Sequence, residues 1–239
     1  MFTDVNFMFI ADHFLATGAW QVYLHGMTIR SDTTEKTSGW RGSREGWLAA
    51  AREAFVTSGL DAVKIQPLAQ QLGLSRTSFY WFFKDRAALL DALLTDWEEA
   101  NTGSIQAVTQ AYSETITEAV LNLIAVFFPG GSFEARLDLA VRGWAHQSDD
   151  VAARVNVADR QRLDAIRAMF LRFGYVPDEA DVRARTLYLT QIGYISMQVQ
   201  EPTQERLSRV PNYVTTFTGQ IPAQREIDRF MAGFDRPAR

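Results

Sequence analysis

Cysteine is absent from the sequence and histidine is scarce, and these two shortages exclude several kinds of site. Without cysteine the chain has no disulfide, no thiol nucleophile and no zinc–thiolate centre. The three histidines, His13, His25 and His146, lie far apart, and none belongs to an HExxH-type pattern. We therefore predict no metal site and no cofactor.

The sequence also lacks an uninterrupted apolar run long enough to cross a membrane. Residues 1–15 are largely apolar, but Asp4 and Asp12 interrupt them and no Lys or Arg accompanies them, which argues against a signal peptide and a spanning helix. We expect a cytoplasmic protein without a membrane partner. Residues 1–39 form a predicted N-terminal extension that is either flexible or misassigned, with Met27 as the alternative start.

Positive charge is in short supply overall, because the chain of 239 residues has a formal net charge of −4. Residues 40–90 reverse this balance with seven basic and four acidic side chains. The basic ones are Arg41, Arg44, Arg52, Lys64, Arg76, Lys84 and Arg86. A basic patch on an acidic body is typical of a protein that binds nucleic acid with one end only.

The stretch Ile65–Phe83, IQPLAQQLGLSRTSFYWFF, has the pattern of two short helices joined by a tight turn. Pro67 suits a first helical turn, and Gly73 suits the left-handed residue that ends a helix. Ser75 can cap the second helix by accepting a hydrogen bond from a backbone N–H of its first turn. That first turn carries Arg, Thr and Ser at residues 76–78, which are side chains that contact base edges in DNA. The pattern predicts a helix-turn-helix and a DNA-binding regulator.

Helical patterns also account for the rest of the chain, which shows no convincing strand, so we predict an all-α fold. A three-helix helix-turn-helix domain, residues 40–86, precedes a larger helical ligand-binding and dimerisation domain, residues 87–239. We expect the small domain to lean on the larger one for stability. In the last forty residues, Pro202, Pro211 and Pro222 predict short helices. The predicted helices cover Ser43–Ser58, Asp85–Glu99, Ile105–Phe128, Phe133–His146, Val151–Phe173, Pro177–Gln200 and Arg225–Phe234.

The predicted helix Pro177–Gln200 carries apolar residues around much of its circumference. This distribution predicts burial on two sides, one against the domain's own core and one against a second subunit. Two such helices per chain would form a four-helix bundle in a homodimer. Leu187, Gln191 and Tyr194 are the candidate dimer-interface residues.

A ligand pocket in the larger domain needs an apolar wall with a few convergent polar groups. The candidate effector-pocket residues are Phe127, Trp144, His146, Met169, Tyr188 and Gln191. Ordinary core packing is the alternative for most of them, because aromatic residues at helical spacing are usually buried. The expected effector is a small apolar or aromatic molecule.

The segment LAQQLGLSRTSFYWFFKDRAALLDALL, residues 68–94, resembles the DNA-binding domain of TetR/AcrR-family transcriptional repressors. The resemblance implies a homodimeric, all-helical repressor that binds a palindromic operator and releases it when an effector binds. It implies that Arg76, Thr77 and Ser78 face the major groove. It also implies phosphate contacts for a further set, Lys64, Gln66, Tyr80, Trp81, Lys84 and Arg86. Phe82 stands where the family commonly has His, so one phosphate donor is lost or the ring packs inward.

Two other functions stay open on the sequence alone. A helical adaptor that binds only protein would fit the modest positive charge and Phe82. An all-helical enzyme has little support, since the chain has no nucleophile elbow and no glycine-rich phosphate loop. Asp149 and Asp150 are adjacent, so on a helix their carboxylates point about 100° apart rather than at one target. We therefore expect no enzymatic activity.

Overall fold

Helices are the only regular secondary structure in residues 42–234, the part of the chain that the structure, a computed structural model, describes. The prediction of an all-α fold is confirmed. The predicted extension, residues 1–39 with its alternative start at Met27, lies outside the described residues. The helices are α1 Arg44–Ser58, α2 Ile65–Gln71, α3 Arg76–Phe79, α4 Arg86–Trp97, α5 Gly103–Gln110, α6 Ile116–Ala125, α7 Ala135–Ala145, α8 Asp149–Arg172, α9 Pro177–Ser196, α10 Thr203–Thr218 and α11 Gln224–Ala232. None of these helices, within the described range, combines the length and the apolar character needed to cross a membrane.

Helices α1, α2 and α3 form the predicted helix-turn-helix unit, and local turn chemistry sets their ends. The Oγ of Ser43 accepts the Gly46 N–H at 3.0 Å and caps α1. Gly73 has a φ of +66°, so the turn after α2 uses the left-handed conformation that favours glycine. The Oγ of Ser75 accepts the Ser78 N–H at 3.3 Å and caps α3. These contacts confirm the caps and the turn that the sequence predicts.

The core of the helix-turn-helix is aromatic and extends into the larger domain. The ring of Phe79 packs edge-on against Trp47 at 5.3 Å between centroids, and it stacks on Phe83 at 5.5 Å. Apolar residues of α7 and α8 belong to the same buried cluster, among them Leu137, Val141, Val151 and Val155. The small domain therefore packs on the larger one, as expected for a unit too small to bury a full core alone.

One continuous helical segment, which we call the connecting helix, joins the helix-turn-helix to the larger domain. Helix α4 passes through a π-helical turn, Glu98–Thr102, directly into α5. Asp85 caps the start of α4 by accepting the Ala88 N–H at 2.8 Å. The π turn inserts an extra residue into the helix and turns Asn101 and Thr102 into the protein interior.

The predicted single helix Ile105–Phe128 is wrong, because the chain breaks there into α5 and α6. Thr115 caps α6 by accepting the Glu118 N–H at 3.0 Å, and the Glu118 carboxylate accepts the Glu114 N–H at 2.8 Å. Glu226 of α11 then accepts hydrogen bonds from the hydroxyl groups of Thr115 and Thr117, at 2.5 and 2.7 Å. These bonds to the backbone and to α11 compete successfully with helix continuation.

The prediction that Pro211 ends a helix is also wrong, because α10 runs through it. Proline removes one intrahelical hydrogen bond. Helix α10 nevertheless buries a stripe at helical spacing, formed by Leu207, Val210, Val214 and Phe217. Burial of this stripe in the core of the larger domain offsets the lost hydrogen bond. At the other end of this region α9 stops at Ser196, short of the predicted Gln200.

Candidate nucleic-acid interface

Helix α3 is divided into a buried side and an exposed side. Phe79 is buried, whereas Arg76 and Thr77 are exposed. Tyr80 and Trp81, in the turn that follows, expose 49% and 63% of their surface. Positions i, i+1, i+4 and i+5 lie on one side of a helix. We call these four residues the α3 face, and such a contiguous aromatic and cationic patch indicates a binding surface.

The guanidinium group of Arg76 is positioned by its neighbour on the next turn. Its Nη2 donates to the hydroxyl oxygen of Tyr80 at 3.4 Å, a long hydrogen bond. This is its one hydrogen bond within residues 42–234, so most of its five N–H donors stay available. A guanidinium group in that state can form a bidentate contact with O6 and N7 of guanine.

The structure corrects the predicted base-reading role of Ser78. This side chain exposes only 1% of its surface, and its Oγ donates to the Ser75 carbonyl at 2.7 Å. Two residues beyond Arg76, it falls on the buried side of α3 beside Phe79. Ser78 therefore fixes the first turn of the helix and does not face outward.

Three of the predicted phosphate contacts are exposed around the helix-turn-helix. Lys64 and Gln66 lie at the start of α2, and Lys84 lies in the turn between α3 and α4. Phe82 is half-buried and packs against the core, so its ring turns inward.

Arg86 is a different case, and its predicted phosphate contact is corrected by its hydrogen bonds. Its Nε donates to the Val63 carbonyl at 2.5 Å, and its Nη2 donates to the Leu60 carbonyl at 2.9 Å. Leu60 begins the short 3₁₀ turn between α1 and α2, and Val63 follows its last residue. The half-buried Arg86 therefore ties the start of α4 to this turn and positions the support of α3.

The six predicted effector-pocket residues do not come together. Met169 is buried in the core of the larger domain, and His146 is exposed at the end of α7. Trp144 packs edge-on against Phe55 of α1, at 5.8 Å between ring centroids, on the side of the helix-turn-helix. Tyr188 belongs to a buried polar cluster described below. The set is therefore corrected, because these side chains occupy separate parts of the fold.

Phe127, by contrast, lines a cavity of about 690 Å³ between the α6–α7 connection, the end of α9 and the start of α10. We call it the body cavity. Its apolar lining includes Phe127, Phe128, Phe133, Leu139, Ile195 and Val199, and its polar lining includes Glu134, Arg136, Tyr194 and Arg206. Gln191 contacts this region indirectly, since its Oε1 accepts a hydrogen bond from Arg206 at 3.0 Å. The volume and mixed lining are those of a small-molecule site.

A buried polar cluster joins α4 to α7 and α8. The Asp138 carboxylate accepts the Trp97 Nε1–H at 2.9 Å, Arg162 Nη1 at 3.0 Å and Arg142 Nε at 2.7 Å. Asp138 and Arg162 have no solvent-exposed surface. The Arg162 Nη2 has no hydrogen-bond partner among the described residues, so one buried donor of the cluster is left unsatisfied.

The same cluster reaches α9 through Asp159 and Tyr188. Burial would raise the pKa of Asp159, but hydrogen bonds from Arg142 and its positive charge outweigh burial and lower that pKa. The Tyr188 hydroxyl donates to Asp159 at 2.6 Å, and burial raises the pKa of this tyrosine. Trp97 on the connecting helix is thus linked to α9 through charged groups held inside the protein.

Glu134 connects the wall of the body cavity to the helix-turn-helix. Its backbone N–H donates to Asn101 Oδ1 at 2.8 Å, in the π turn of the connecting helix. Its carboxylate pairs with Arg52 Nη2 of α1 at 2.9 Å. A shift of Glu134 would therefore change its contacts with α1 and with the connecting helix.

Comparison with known proteins places the helix-turn-helix in a family. The profile of the family described as "Bacterial regulatory proteins, tetR family" matches residues 48–93. Residues 48–93 therefore form a domain of the tetR-family type. The segment is 39% identical over 54 residues to the class D tetracycline repressor protein of Escherichia coli and to the class H protein of Photobacterium damsela subsp. piscicida. This match covers 23% of the chain and spans about a quarter, 25%, of the length of each of those relatives.

The larger part of the chain is similar to solved structures in fold alone. Salmonella enterica GusR superimposes with a TM-score of 0.59 at 15% identity, covering 74% of this chain and 94% of GusR. Mycobacterium smegmatis AmtR superimposes with a TM-score of 0.54 at 18% identity, covering 84% of this chain and 97% of AmtR. The helical architecture downstream of the family domain is therefore also one that occurs in known structures.

The predicted dimer residues are mostly occupied within the chain's own fold. Leu187 is fully buried in the chain's own core, and Gln191 is nearly so. Tyr194 is half-buried, with its hydroxyl 3.0 Å from that of Tyr213. The apolar residues that α9 exposes are instead Val182 and Leu189, at 62% and 58% of their surface, seven positions apart. Spacing of seven places both on one face of α9.

Sequence reasoning missed Arg162, Glu134 and Arg206. One local signal for Arg162 exists, because it falls at helical spacing between Ala158 and Ile166, on the apolar stripe of α8. A charged residue at a core position implies a buried partner. Nothing local distinguishes Glu134 or Arg206 from a solvated surface charge, because their partners lie in distant segments of the chain.

Proposed function

We propose that this chain is a tetR-family DNA-binding transcriptional regulator that uses the α3 face to contact the major groove. The observation that supports it best is the outward face itself. Arg76, Thr77, Tyr80 and Trp81 point away from an aromatic core that includes Phe79 and holds the helix in place. Arg76 and Thr77 read base edges, since their side-chain types form such contacts.

Phosphate contacts fix the orientation of α3 on the duplex in this proposal. Tyr80 and Trp81 contact the phosphate backbone of the DNA beside Arg76 and Thr77. Further phosphate contacts come from Lys64, Gln66 and Lys84 on the flanks of the helix-turn-helix. Such contacts set register without carrying sequence information. Ser78 and Arg86 act behind them, as positioning residues for the first turn of α3 and for the start of α4.

We further propose that the regulator is a homodimer on a palindromic operator. Val182 and Leu189 give α9 an exposed apolar stripe, and the neighbouring α10 completes a two-helix face that can pair with its copy as a four-helix bundle. An isologous dimer of this kind presents two α3 faces to half-sites roughly 34–36 Å apart, or a multiple of that distance.

Small-molecule release of DNA is the regulatory part of the proposal. A ligand in the body cavity contacts the wall that includes Glu134, which is tied to Arg52 of α1 and to Asn101 of the connecting helix. We call these contacts of Glu134 with Arg52 and Asn101 the Glu134 junction. Two conformations of the protein that differ at this junction would differ in the placement of α3. Ligand and DNA must then weaken each other's binding by the same factor. The proposal therefore describes a repressor that an effector releases.

A gel shift tests the proposed DNA binding. It uses the DNA upstream of the protein's own gene and a range of salt concentrations. Arg76→Ala is expected to weaken specific binding by about 1–3 kcal/mol. Arg160→Ala is the matched control, because Arg160 is exposed on α8 and its loss changes the net charge equally. Equal binding by the parent and Arg76→Ala would contradict the reading role. No specific shift even at low salt would favour a protein-binding adaptor instead.

Sedimentation velocity tests the dimer. Leu189→Glu places a charge in the proposed interface and is expected to give monomers. Ile221→Glu is the control, since Ile221 is exposed in the connection between α10 and α11 and belongs to neither helix of the proposed face. A dimer that tolerates Leu189→Glu as well as Ile221→Glu would place the interface elsewhere.

A further inference from the structure

Arg206 is a cation held between two aromatic rings at the edge of the body cavity. Its guanidinium carbon lies 4.4 Å from the ring centroid of Phe128 and 4.6 Å from that of Tyr194. Its Nη2 donates to Gln191 Oε1 at 3.0 Å. The two rings and the amide fix the plane of the guanidinium group, so the group is preorganised toward the cavity that it lines.

Arg206 lacks a carboxylate partner among residues 42–234, and this separates it from its neighbour. Arg209, one turn later on α10, pairs with both Glu201 and Glu205. Burial lowers the pKa of Arg206, as expected for a desolvated cation that no acid neutralises. Arg206 is half-buried, and a partly desolvated cation is ordinarily paired, so a missing counter-ion at a cavity wall indicates a place for one.

The remaining charges of the body cavity do not supply that counter-ion. Glu134 lines the cavity, but its carboxylate is engaged by Arg52 of α1. Arg136, also in the lining, adds a second positive charge at an exposed position. Most of the remaining wall is apolar, with the rings of Phe127 and Phe133 4.7 Å apart. The cavity thus combines uncompensated positive charge with an aromatic, largely apolar surface.

We propose that the body cavity binds a small organic anion, with its carboxylate on Arg206 and its apolar part against the phenylalanine wall. This inference rests on the proposed effector-responsive regulator and names the chemical class of its effector. Arg206 uses one of its five N–H donors inside the protein, which leaves enough for a bidentate contact with a carboxylate. A cavity of about 690 Å³ accommodates either a fused aromatic acid or a medium-chain alkanoate.

Isothermal titration of the full chain with matched probes tests the charge requirement. The probes are 2-naphthoate, its uncharged analogue 2-naphthamide, and decanoate. We expect 2-naphthoate to bind at least about tenfold more tightly than 2-naphthamide, because a hydrogen bond to a charged partner is lost in the amide. Comparison of 2-naphthoate with decanoate distinguishes an aromatic acid from an alkanoate. Equal affinity for the acid and the amide, or no binding of either acid, would overturn the inference.

Substitutions then locate the anion. Arg206→Gln is expected to abolish the preference for 2-naphthoate over 2-naphthamide and to leave the affinity for 2-naphthamide unchanged. Arg209→Gln removes the same charge from the same helix and is expected to keep the preference. Val199→Trp adds a bulky ring to the cavity lining and keeps Arg206 in the chain, so it should weaken all three probes. An acid preference that survives Arg206→Gln would place the anion elsewhere and overturn the assignment.

The same preparations separate this inference from the proposed function. Specific DNA binding without binding of either acid would overturn the anion site and leave the DNA-binding proposal standing. Binding of 2-naphthoate or decanoate by a chain that recognises no DNA would support the anion site and overturn the DNA-binding proposal.

Discussion

Asp138→Asn should destabilise the protein strongly, although it replaces a single heavy atom. Asp138→Asn keeps the shape of the side chain and removes its negative charge. Arg162, fully buried, then loses the carboxylate 3.0 Å from its Nη1, and Arg142 loses the one 2.7 Å from its Nε. The variant therefore leaves more buried positive than negative charge between the helix-turn-helix and the larger domain.

The size of the effect follows from the remaining partners. Removal of one member of a buried ion pair costs about 3–5 kcal/mol, because the other charge stays desolvated. Asp159 lies 3.9 Å from Arg162 Nη1 and partly compensates, so we expect a loss at the lower end, about 3 kcal/mol. Loss of the acceptor charge for the Trp97 indole N–H acts in the same direction.

Urea unfolding at neutral pH measures this loss as a lower midpoint at unchanged slope. Arg185→Ala is the control, because it breaks the exposed pair with Asp181 on α9 and should leave the midpoint unchanged. The double variant Asp138→Leu with Arg162→Met should recover part of the loss, since it removes the stranded charge. A midpoint for Asp138→Asn equal to that of the control would refute the reasoning.

Four further outcomes follow from individual residues. Arg86→Met should lower the free energy of unfolding by about 1–3 kcal/mol, because two backbone carbonyls lose a charged donor, and a wild-type urea midpoint would contradict this. Lys84→Ala should instead leave stability unchanged and reduce the slope of log DNA affinity against log salt by about 1, which a salt titration checks. Glu134→Gln, which weakens the pair with Arg52, should bind DNA as the parent does but respond less to 2-naphthoate; an unchanged response would remove this junction from the coupling. Burial would raise the pKa of Glu226, but hydrogen bonds from two threonines and a backbone N–H lower it below its ordinary 4.5, so this carboxylate stabilises the fold above pH 4.5. That stabilisation should fade as the pH falls through the folded pKa, and Glu226→Gln should flatten the acid limb of stability against pH.

Local chemistry made the N-terminal part of the fold predictable. Gly73 and Ser75 specify the turn and the cap of α3 through their own backbone and side-chain preferences, with little help from distant residues. The break before α6 also had a local signal, since Thr115 and Glu118 have capping-box spacing. Apolar continuity across the break hid that signal.

The parts that could not be predicted depend on distant contacts. Pro211 stays helical because the buried stripe of α10 packs on the body, which no local rule reveals. Ser78 faces inward because of the exact register of a helix only four residues long. Leu187, Met169 and Trp144 were misassigned for one shared reason: apolar spacing shows that a residue is buried but not against which partner.

Selection of binding sites from random DNA, carried out with the parent and with Arg76→Ala, tests the central claim most directly. The parent should enrich two inverted half-sites, and Arg76→Ala should lose preference at one base pair in each half-site while keeping the rest. Enrichment of the same sequence by both proteins, or of none by the parent, would contradict the assignment of the α3 face as the surface that reads DNA.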